Sequence, residues 1–77
     1  MNLYNEVVYH PRLTSTGWYF NRYWTHGRHG SNVIVRNFPI GSPFFTTLEY
    51  REDELLTEAQ LPEFIQGKDL HPAHRLC

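Results

Sequence analysis

Cysteine is almost absent from this chain: Cys77 is the only one among 77 residues. No internal disulfide can form, so the oxidised scaffold that holds many small secreted domains together is excluded. Long apolar runs are missing too, and none approaches the roughly 20 residues of a membrane-spanning helix. The first six residues, Met1 to Glu6, show neither the basic nor the apolar region of a secretion signal, and no Asn-x-Ser/Thr acceptor occurs. The cytoplasm is the expected compartment.

The short signatures of common enzyme classes are also lacking, whether glycine-rich phosphate loops, HExxH, GxSxG or CxxC. Arg28-His29-Gly30 repeats a tripeptide of the histidine phosphatases, but that family sets it behind a strand of a much longer α/β domain with further histidines and arginines. Here it falls in a hairpin loop. No third group orients a histidine against Ser15 or Ser31. A chain of this length buries only about 60% of the surface its unfolded form exposes, which leaves few residues to wall a deep cleft. A non-enzymatic binding protein is the expected class.

Aromatic residues are what the sequence does have, with five Tyr, five Phe and two Trp. Each large ring buries about 150–250 Å², so a few of them supply a small core, and any left outside form a partner patch. Charge is divided unevenly. Residues 1–48 carry Arg12, Arg22, Arg28 and Arg36 against Glu6 alone, whereas residues 49–77 are strongly acidic and bring the net charge to −1. Such a division fits either a polar partner or two halves that face each other in the fold.

Alternation predicts a strand from Leu3 to His10 that stops at Pro11, which cannot donate to a ladder. Trp18 to Thr25 is the clearest strand, with Trp18, Phe20, Arg22 and Trp24 on one face and Tyr19, Asn21, Tyr23 and Thr25 on the other. A long loop, His26 to Asn32, returns into β-branched Val33–Phe38 and completes a hairpin. Phe44 to Tyr50 offers a further strand, with Phe44, Thr46, Leu48 and Tyr50 inward. Glu52 to Gln66 has helix formers; Thr57 and Gln60 fit a capping box, and Pro62 either sits early in the helix or divides it. Together these predict an α+β domain over residues 1–67: an antiparallel sheet of three to four strands around an aromatic-rich hairpin, with one short C-terminal helix. Residues 68–77 read as a flexible or loosely docked tail.

One helix cannot cover both faces of such a sheet. Surplus Trp, Tyr and Arg on the hairpin, the residue types that dominate interface energetics, therefore mark Trp18, Phe20, Arg22, Tyr23, Trp24, Arg28 and Arg36 as the expected partner-binding set. The partner is expected to be a larger protein, with this chain acting as a regulator, inhibitor or accessory factor of the kind phages and plasmids carry. The same alphabet admits single-stranded nucleic acid, with rings stacking on bases and guanidiniums meeting phosphates, although a pI near 6.5 is low for a dedicated binder. A bare face and open edges also allow a homodimer. No cofactor is expected. The weak exception is zinc, for which His26/His29 and His71/His74, each spaced His-x-x-His, and Cys77 supply nitrogen and sulfur ligands should the tail fold back onto the hairpin loop.

Overall fold

Residues 4–38 and 41–74 are described by a computed structural model. In them the alternating segments form one antiparallel sheet of β1 (Val7–Thr14), β2 (Gly17–His29), β3 (Asn32–Asn37), β4 (Thr46–Arg51) and β5 (Leu56–Thr57), in the order β4-β3-β2-β1-β5. The sheet thus has five strands where the sequence predicts three or four. The addition is β5, only two residues long and paired with Val8 and Tyr9, too short for any periodicity to reveal. One α-helix is present among the described residues, α1 (Leu61–Phe64). None of the described helices is long and apolar enough to cross a membrane.

Pro11 does not end the first strand, which runs on to Thr14. Phe20, its partner across the ladder, directs its N–H away from β1, toward His74. The Pro11–Phe20 pair is therefore one that exchanges no backbone hydrogen bonds, and the missing proline donor costs the sheet nothing there. Leu3, where the sequence places the start of this strand, lies outside the described residues, as do Pro39 and Ile40.

The predicted long hairpin loop is replaced by further strand. β2 reaches His29, and only Gly30 and Ser31 form the turn, Gly30 with φ of 63°. A register shift between Thr25 and Gly27 absorbs the extra residue as a bulge. Pro62 does not divide a helix either; it sits in the first turn of α1, where its absent N–H has no intrahelical partner to lose. The residues ahead of it make a turn held by Gln60 Oε1, which accepts from the Thr57 N–H at 2.9 Å.

Register decides which side chains are buried. Val8 faces Tyr23, Val33 faces Tyr50, and Val35 faces both Thr25 and Leu48. On that face Val8, Tyr23, Val33 and Val35 pack with Leu55, flanked by Leu48 and Tyr50. Thr25, also buried, keeps its hydroxyl satisfied by accepting from the Glu6 N–H at 2.9 Å. A polar lid closes one side: His10 stacks on Tyr50 at 4.3 Å, and the Tyr50 hydroxyl lies 3.3 Å from that of Tyr23. Burial first, and the Tyr23 hydroxyl next, push the Tyr50 phenol up to about 12.

The opposite face is covered only in part. Phe64 of α1 meets Trp18 and Phe20 edge-on, at 5.5 and 5.9 Å between ring centroids. Beyond α1 the chain returns to β2 at the stretch where β3 does not reach. The Trp18 N–H donates to the Asp69 carbonyl and the His71 N–H to the Trp18 carbonyl, both at 2.9 Å. His74 Nε2 then accepts from the Phe20 N–H at 3.0 Å. Residues 69–74 thus form a strap along this edge of β2.

Candidate binding face

β2 is longer than either neighbour, and each half has its own partner strand: β1 pairs as far as Trp24, and β3 begins there. Under α1 and the strap, its first half is covered. Beyond Arg22 the same face lies open. Trp24 there meets Phe38 at 5.8 Å, and Phe38 meets Phe45 at 5.8 Å. Phe38, Phe44 and Phe45 are 50%, 76% and 47% exposed, far more than isolated core rings would be.

Two guanidiniums bracket this row. Arg22 lies over Trp24 at 5.5 Å and Arg36 over Phe45 at 4.4 Å. The ring nitrogen His26 Nε2 is 2.8 Å from Arg36; since arginine has no acceptor, Arg36 donates and His26 accepts. The Arg36 Nε is buried with no hydrogen-bond partner. Leaving such a donor unmade costs about 1–3 kcal/mol, tolerable only where something else holds the side chain; here the stacking on Phe45 does so.

The electrostatics sort the arginines. Arg28 pairs with Glu52 at 3.3 Å, and His29 lies 3.4 Å from Glu49, whose carboxyl is held below its ordinary value by the Asn32 side-chain amide and then by His29. Arg51 contacts Asp53 and Glu54. The acidic segment is thus turned onto the hairpin tip, and the uneven charge of the two halves is answered partly within the fold. Arg12, Arg22 and Arg36 have no carboxylate partner among the described residues. Arg12 instead lies over Tyr19 and donates to Asn21.

Of the residues the sequence nominates for binding, Arg22, Trp24 and Arg36 come together on the open face. Phe20 and Tyr23 do not, being 6% and 3% exposed: Tyr23 is central to the main core, and Phe20 lies under Phe64 and His74. Trp18 is half-buried beneath α1, and Arg28 is held at the hairpin tip by Glu52. Phe38, Phe44 and Phe45 are the members that sequence reasoning misses. Their only signal is position, bulky apolar residues beside Pro39 and Pro43 in a turn that offers them no partner strand.

The two histidine pairs do not converge. His74 sits against Phe20, whereas His29 lies nine residues further along β2, about 30 Å away at strand rise. Among the described residues no three His, Cys, Asp or Glu side chains cluster as a metal site; Cys77 lies outside those residues. His74 is already engaged as an acceptor, and burial, then the nearby His71, hold its imidazole below the ordinary histidine value.

No family model, curated protein or solved structure matches the chain.

Proposed function

We propose that this chain is a protein-binding module that docks on a larger protein through the open end of the sheet, as a regulator, inhibitor or accessory factor. The observation that carries this reading is the contiguous row Trp24–Phe38–Phe45, with Trp24 half-buried and both phenylalanines exposed, bracketed by two arginines that have no acidic partner among the described residues. Aromatic and arginine side chains dominate interface hot spots, and their truncation there commonly costs 2 kcal/mol or more, roughly thirtyfold in affinity. The test is retention of a partner from cell extract by wild-type, Trp24→Ala and Phe45→Ala proteins, with Leu13→Ala as a control because Leu13 is exposed but lies outside the row. The two row variants should lose the partner and the control should keep it. Folded row variants that retain it sink the proposal.

The guanidinium-over-ring arrangement favours a second reading, single-stranded nucleic acid, because bases stack on such rings while phosphates meet the cations. That reading requires oligonucleotide binding that falls steeply with salt. No filter retention at low salt dismisses it. A second copy of this chain is the remaining occupant, and light scattering that reads the 9.2 kDa monomer mass at micromolar concentration removes it.

A further inference from the structure

A second feature of the same face lies where α1 and the strap leave β2. An open groove of about 620 Å³ runs there, with Phe20, Leu61, Ile65 and Leu70 as its apolar floor and walls. Arg22, His74 and two tyrosines form the rim. The size is within the range of preformed small-ligand sites, which characteristically pair an apolar interior with a few convergent polar groups.

The rim has a definite polarity. Among the described residues it contains no carboxylate and one permanent charge, the Arg22 guanidinium, which no described acid pairs. Stacking over Trp24 limits the positions Arg22 can take, which lowers the entropy lost when it meets an anion. His74 adds a donor. Its Nε2 accepts from Phe20, so the proton of the neutral ring resides on Nδ1.

We propose that this groove binds an amphipathic carboxylate, an aliphatic chain ending in a carboxylate group, with the chain against Phe20, Leu61, Ile65 and Leu70 and the head group on Arg22. An anionic head offsets the lone cation at the rim, and an apolar tail removes the exposed groove surface from water. A cationic amphiphile gains the second but meets repulsion at the first. The inference does not depend on the protein-binding reading.

Calorimetric titration with decanoate, and with decyltrimethylammonium as the cationic analogue of equal chain length, tests it. Both are kept below their micelle concentrations. Decanoate should bind saturably at one site and at least about tenfold more tightly than the cation, the factor expected of one charge-assisted arginine contact. Arg22→Gln should weaken decanoate about tenfold and leave the cation unchanged or improved. Arg51→Gln, the same charge change at a residue engaged far from the groove with Asp53 and Glu54, should alter neither. Absence of saturable binding, equal affinity for the two amphiphiles, or an unchanged ratio in folded Arg22→Gln overturns the proposal. Binding abolished by Phe45→Ala but untouched by Arg22→Gln also overturns it, since the amphiphile would then sit on the aromatic row.

Discussion

Single residues fix the close approaches. Gly17 has φ of 125°, and a Cβ built there would lie 2.7 Å from the Leu70 carbonyl carbon. Both effects oppose a side chain, and the second sets a Cβ against backbone, which cannot yield by rotation. Gly17→Ala is expected to destabilise by about 1–3 kcal/mol and to release the strap, read as lower urea stability together with a changed Trp18 environment. Gly30→Ala is the informative contrast: φ is 63° there too, but a Cβ would meet nothing. Its cost should be limited to about 1–2 kcal/mol of left-handed backbone strain, with the strap signal unaltered. Equal strap release by both variants would show that Gly17 is not selected by the approach of Leu70.

Tyr50 offers a second residue-scale test. Its phenol keeps its proton up to about 12 in the fold, against 10.0 ordinarily. Between those values the unfolded chain loses the proton and the folded chain does not. The contribution is therefore intact below pH 10 and is lost as pH rises toward the folded value. Alkaline unfolding curves should show this loss in wild-type protein and a smaller one in Tyr50→Phe. The same variant removes the contact with the Tyr23 hydroxyl at a cost of about 0.5–1.5 kcal/mol at neutral pH.

At the scale of elements, the strap carries a pH-sensitive contact. His74 accepts from Phe20 only when Nε2 is unprotonated, and burial lowers its pKa. As pH falls through the ordinary histidine value of 6.5, the unfolded chain takes up a proton that the docked ring resists, so stability declines with falling pH. The neighbours in ring contact or at the groove rim, His71, Tyr19 and Arg22, offer no negative charge to offset protonation. Denaturation curves from neutral pH downward should show this decline, and His74→Gln should flatten it. An equal slope in the variant would place the sensitivity elsewhere.

The elements also show how far local rules reach. The hairpin at Trp18 to Val35 is legible because β-branched and aromatic residues alternate around a glycine turn. Its true length is not, because a bulge at Thr25–Gly27 continues a strand that the histidines and glycines read as loop. Pro11 misleads because one residue says nothing of the edge its nitrogen faces, which is set by the register that places it opposite Phe20. The binding face is half legible for a related reason. Period-two parity places Arg22 and Trp24 together, but nothing local states that Phe20, on the same side, lies under α1. Phe38, Phe44 and Phe45 lie next to turn residues, where strand patterning has ended.

The whole molecule is a slab. Its extents are 34 × 29 × 20 Å and its radius of gyration is 13.0 Å, above the roughly 11.5 Å expected of a compact chain this long. A thin shape follows from the single sheet and the one four-residue α-helix among the described residues, and it leaves the open end of the aromatic face without a second layer. Dye binding to exposed apolar surface should accordingly be measurable in the native state and fall in Phe44→Ser/Phe45→Ser protein, with stability lowered by no more than the roughly 0.5–1 kcal/mol of the lost Arg36–Phe45 stacking. Unchanged dye fluorescence would mean that those rings are covered in solution.

Arg22 belongs at once to the rim of the groove and to the end of the aromatic row, lying over Trp24 while bordering the cavity beside Phe20. That shared membership would link binding at the two proposed surfaces thermodynamically. An anion bound at the guanidinium neutralises a cation of the row, and a partner seated on Trp24 restrains the same side chain. Whatever factor one occupant imposes on the affinity of the other must be returned in equal measure, so a single side chain, without any movement of the sheet, is enough to make this small domain responsive.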